Sequence, residues 1–142
     1  MKFLKILLVI LVFSLSSFAQ SFDGKGDTKI NVGYDIYGRG NGIKGTFDIG
    51  LCDLFSIGAG ATYYIDNDEN DFYIFGRTAI HLGLLFDFPS KFDLYPGINL
   101  GYLSGNDVGL TGYLGLRYFF TERIGIYAEI GNTGVIGLSF SL

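Results

Sequence analysis

The stretch Val108 to Gly131, VGLTGYLGLRYFFTERIGIYAEIG, decides the fold. Val108, Leu110, Gly112, Leu114, Leu116, Tyr118 and Phe120 fall on one set of alternate positions, and Gly109, Thr111, Tyr113, Gly115, Arg117, Phe119 and Thr121 on the other. A period of two is the signature of a β-strand. After Thr121–Arg123 a return strand puts Ile124, Ile126, Ala128 and Ile130 on one face, with Tyr127 and Glu129 on the other. The hairpin therefore has one apolar face and one charged face. Repeated to the end of the chain, that pattern fits a closed barrel with lipid outside and polar groups inside, because a sheet within a bilayer tolerates no open edge.

Working outward from this hairpin, the same alternation predicts six further strands. They are Thr28–Gly38, Ile43–Cys52, Phe55–Ile65, Phe72–Asp87, Phe92–Leu103 and Val135–Leu142, with Phe72–Asp87 the longest. Turns rich in glycine, asparagine and aspartate separate them. Pro96 lies inside the fifth strand and predicts a bulge or a lost ladder bond, because proline has no N–H to donate. The total is eight antiparallel strands in an up-and-down meander, an all-β transmembrane barrel. The even count puts both termini on one side.

The chain opens MKFLKILLVILVFSLSSFAQ, with Lys2 and Lys5 before an apolar run and Ser17 and Ala19 ahead of a cleavage point after Ala19 or Gln20. This reads as a secretory signal peptide, since the run is well short of the roughly 20 residues that span a bilayer. The expected organisation is a signal peptide over 1–19 and one barrel domain over 20–142, destined for the cell outer membrane with its lipid as the main partner. Without Lys2 and Lys5, 8 basic residues face 14 acidic ones, so nucleic acid is an implausible partner. Cys52 is the single cysteine and cannot form a disulfide within the chain.

A soluble barrel also alternates, so the direction of the alternation matters. Within the strands the polar face carries Lys29, Lys44, Arg77 and Arg117 against Asp35, Asp48, Asp93 and Glu129. Four charges of each sign suit a narrow lumen that pairs them better than a cavity for an apolar ligand. The apolar faces place Phe55, Phe86, Phe92, Phe120 and Phe140 towards one rim and Tyr63, Phe72 and Tyr102 towards the other, as interfacial girdles require.

The hairpin LGLRYFFTERIGIYAEIG and the ending GVIGLSFSL resemble the last strands of the small OmpX/OmpA-like outer-membrane barrels of Gram-negative bacteria. The resemblance implies a C-terminal insertion signal read by the barrel-assembly machinery. Gly137, Phe140 and Leu142 match its spacing, with leucine at the end where phenylalanine is commoner.

Among candidate sites, Arg117 and Glu129 lie on inward faces of adjacent strands and predict a salt bridge across the hairpin, joined by Arg77 and Asp48. Tyr64, Tyr73, Tyr95, Tyr113 and Tyr127 are expected to fill the lumen. His81 is the one histidine; it faces inward with no suitably spaced serine, so no catalytic residue is expected. Asp66–Asp71 begins like a calcium loop but has Asp71 in the glycine place and Arg77 in the closing glutamate place, and reads as a solvated loop. Neither a metal site nor a cofactor is expected. The function expected from these residues is non-enzymatic: a structural, envelope-integrity barrel. The alternatives are passage or binding of a small solute in the lumen, and surface adhesion through the outer loops.

Overall fold

The computed structural model describes residues 2–6, 22, 24–38, 40–65, 72–83, 85–86, 89, 91–104 and 107–142. Eight strands follow one another: β1 (Thr28–Tyr37), β2 (Gly42–Gly50), β3 (Phe55–Tyr64), β4 (Phe72–Ile80), β5 (Phe92–Leu103), β6 (Asp107–Phe119), β7 (Ile124–Gly131) and β8 (Gly134–Ser141). Each pairs antiparallel with the next, and β8 returns to β1, closing the barrel in meander order. Closure leaves no strand edge unpaired, which is what a sheet in hydrocarbon needs.

The alternation read from the sequence is the inside and outside of this wall. Ile43, Phe47, Ile57, Ile74, Leu110 and Ile136 are exposed on the outer surface. All eight charged residues of the polar face are buried, none more than 7% exposed. An inverted soluble barrel would show the reverse. Inside, aromatic rings form two plugs. Tyr64, Tyr73, Phe75 and Leu103 cluster towards the mouth away from the termini, and Tyr95, Tyr113 and Ala79 form a second cluster.

The strands depart locally from expectation, and at the end of β4 the physical reason is Pro96. The fourth strand ends at Ile80 rather than Asp87, so the longest strand is the 13-residue β6. Its pairing with β5 stops at Ala79 opposite Gly97, one step short of Pro96. The Leu94 carbonyl accepts from the Leu82 N–H at 2.9 Å, so the hydrogen-bonding edges of Leu94 and, two residues on, Pro96 face β4. A proline there offers no N–H, so one ladder bond is lost at that rung and the regular pairing ends, although Leu82 still donates to Leu94 beyond it. Of the two outcomes expected at Pro96, the lost bond is the one realised, and β5 keeps its register against β6 throughout. The register shift occurs instead between Asp35 and Tyr37, where β1 meets β8. Finally, β2 stops at Gly50, and Cys52 lies exposed in the turn that follows.

Candidate functional site

The lumen is filled because large inward side chains lie opposite inward glycines. In the β5–β6 register Tyr95 faces Gly115 and Tyr113 faces Gly97. A Cβ on Gly115 would come within 2.2 Å of the Tyr95 ring, and one on Gly97 within 2.3 Å of the Tyr113 hydroxyl. The glycine thus lets its partner ring lie down across the barrel axis. Two further rings use glycines of the neighbouring wall: the Tyr127 hydroxyl lies 2.5 Å from where a Cβ on Gly33 would stand, and the tip of the Phe75 ring 2.7 Å from one on Gly60, its partner on β3.

These rings line the charges. Glu129 on β7, 1% exposed, accepts from Arg77 Nη2 at 2.6 Å, from Tyr95 Oη at 3.0 Å and from Lys44 Nζ at 3.3 Å. Arg77 also reaches Asp48 through Nε at 3.3 Å. The Arg77 guanidinium sits over the Tyr113 ring at 4.5 Å, and that of Arg117 over Tyr95 at 4.6 Å. Arg117 donates to Asn31 Oδ1 at 3.2 Å and lies 3.9 Å from Asp48 and 4.0 Å from Asp93. Asn31 in turn donates to Thr46 and Asp48 and accepts from Ser139. Lys29 pairs with Asp27, just ahead of β1, and Asp35 is buried nearer the far mouth.

The expected Arg117–Glu129 bridge does not form. The register sets Arg117 opposite Tyr127 and Glu129 opposite Gly115, where the Tyr95 ring occupies the gap. Glu129 therefore looks across the lumen to β4 and β2, and Arg117 turns to Asn31, Asp48 and Asp93. In a barrel this narrow the partner across the axis is as reachable as the neighbour along the wall. Arg77 and Asp48 do join one network with Glu129.

A second constellation lies nearer the mouth that holds the termini. His81 Nδ1 meets Asp93 Oδ2, and His81 Nε2 lies 2.6 Å from Ser56 Oγ. The expectation that no serine stands near His81 is thereby corrected. The signal was present as strand parity: Ser56 and Ala79 are paired inward positions of β3 and β4, and His81 is two residues beyond Ala79. Phe22, preceding β1, stacks on the imidazole at 3.6 Å and 7°. The acidic stretch 66–71 lies outside the described residues.

A family model described as "Domain of unknown function (DUF2715)" matches residues 16–141. The chain belongs to the DUF2715 family. No curated protein matches its sequence. Among solved structures, this DUF2715 barrel superposes on a de novo designed transmembrane β-barrel with a TM-score of 0.70 at 13% identity, over 84% of this chain and 98% of the other. It also superposes on the N-terminal β-barrel domain of Pseudomonas aeruginosa OprF with a TM-score of 0.63 at 15% identity, over 84% and 100%. At such identities the likeness is one of fold, and the shared fold is the membrane-type eight-stranded barrel.

Proposed function

We propose that this DUF2715 protein is an OmpX/OmpA-like barrel of the outer membrane, exported by a signal peptide over residues 1–19, whose mature domain strengthens the envelope without conducting solutes. Gly137, Phe140 and Leu142 serve as its insertion signal for the barrel-assembly machinery, and outer-membrane lipid is its main partner. The observation that carries this reading is the lumen. Lys29, Asp35, Lys44, Asp48, Arg77, Asp93, Arg117 and Glu129 are all buried. Arg77, Lys44 and Glu129 tie β4, β2 and β7 together across the axis. Opening a conducting path would require these ion pairs to part in a low-dielectric interior, which is costly. A side-chain-filled lumen under an apolar outer wall braces the barrel across its axis, within the plane of the membrane.

The experiment has two arms. The protein refolded in detergent should migrate differently in SDS gels before and after boiling, and in planar bilayers it should show no stepwise conductance above the bare membrane. Cells lacking it should become more sensitive to detergent with unchanged uptake of small solutes. Steady single-channel steps would replace the brace with a pore, and recovery in a soluble fraction would remove the membrane assignment altogether.

A further inference from the structure

Ser56, His81 and Asp93 are contributed by β3, by the residue after β4 and by β5, and they meet within the lumen towards the mouth that holds the termini. A carboxylate can only accept hydrogen bonds, so a neutral imidazole places its proton on Nδ1 towards Asp93. Nε2 then accepts from the Ser56 hydroxyl at 2.6 Å. That connectivity, hydroxyl to Nε2 and Nδ1 to carboxylate, is the one by which a serine is activated as a nucleophile. The ion pairs that brace the barrel make no use of Ser56 or His81.

The surroundings supply two further elements. Phe22 and Tyr95 both stack on the imidazole, at 3.6 and 5.6 Å, so two aromatic rings flank the histidine that Ser56 donates to. Arg117, stacked on Tyr95 and 4.0 Å from Asp93, has a buried Nε with no protein partner, a cationic donor in the same layer as the triad. The cover over the site is not part of the wall. Phe22 belongs to the segment ahead of β1, which docks on β2 through Gly26 N–H to Gly50 O at 2.8 Å and Gly50 N–H to Asp27 O at 2.7 Å. Lifting Phe22 therefore opens the site from the terminal mouth without breaking a strand pairing.

We propose that Ser56 is the nucleophile of a site for carboxylic esters with an apolar acyl group, entered from that mouth when Phe22 swings aside. Ser56 Oγ attacks the acyl carbonyl carbon while His81 Nε2 takes the hydroxyl proton. The acyl–oxygen bond breaks, and His81 returns that proton to the departing alkoxide. Water then attacks the Ser56 ester by the same route, releasing the carboxylic acid and restoring the hydroxyl. Asp93 is a positioning residue that holds the imidazole in the tautomer the first step needs. This activity goes beyond the bracing role and leaves it intact.

The test uses the chain refolded into phosphatidylcholine vesicles, scored as folded by its heat-modifiable band, and treated with an alkyl fluorophosphonate, which transfers phosphorus to an activated serine with loss of fluoride. Peptide mass spectrometry should locate the adduct on Ser56, faster in Phe22→Ala than in the wild type, and slower by about 10²-fold or more in His81→Gln. Where His81→Gln does not become heat-modifiable, Asp93→Asn provides the comparison through the wrong tautomer. Turnover of p-nitrophenyl butyrate by Phe22→Ala should vanish on adding Ser56→Ala. Folded protein with no Ser56 adduct in either the wild type or Phe22→Ala, labelling indifferent to the histidine and aspartate changes, or butyrate turnover equal with and without Ser56 would each overturn the proposal.

Discussion

Glu129 receives donors from three residues on three different strands, Arg77, Lys44 and Tyr95. Removing its charge while keeping its shape leaves two buried cations facing an amide. Glu129→Gln should therefore lower the stability of the refolded barrel by about 3–5 kcal/mol, the usual cost of breaking a buried ion pair from one side. Urea unfolding in lipid vesicles measures this, and an unchanged midpoint would mean that the lumen is wet enough to hydrate Arg77. At this scale strand parity told which residues face inward, and every charged residue so placed is buried. It could not tell which would touch. The partner of Glu129 is set by the glycine opposite it and by the width of the lumen, neither of which is a property of the hairpin alone.

Strands that carry a tyrosine opposite a glycine hold their register by fit as much as by hydrogen bonds. Tyr95 over Gly115 is the pair on which most depends, because the same ring donates to Glu129 and carries the Arg117 guanidinium. Gly115→Ala inserts a methyl 2.2 Å from that ring. The ring must move off Glu129, and the expected loss is about 1–3 kcal/mol, the range for an overpacked interior. The double change Gly115→Ala with Tyr95→Phe should lose less than the two single losses combined, since the displaced hydroxyl is then already absent; strict additivity in the unfolding midpoints would contradict the coupling. Element ends show where reading the chain stopped short. Alternating leucines after Ile80 look like more strand, yet the strand beside them presents Pro96 at the next rung. The signal was in the chain, four residues past the start of β5, and acquired its meaning once β4 and β5 were aligned.

The molecule as a whole returns its chain to the side on which it began, since eight strands are an even number. The turn between β2 and β3 lies on that same side, because Thr28 at the start of β1 pairs with Ile49 near the end of β2. Cys52 sits in that turn, exposed and free, and so reports which face of the membrane the termini occupy. With the termini in the periplasm, a membrane-impermeant maleimide added to intact cells should leave Cys52 unmodified and should label it once the outer membrane is permeabilised. Moving the thiol to the opposite end, by Cys52→Ala with Thr133→Cys in the β7–β8 turn, should reverse the result and give labelling of intact cells. Labelling of Cys52 in intact cells would invert the barrel in the membrane. The mouth covered by Phe22 would then open to the outside, and the ester site would draw its substrate from the medium rather than from the periplasm.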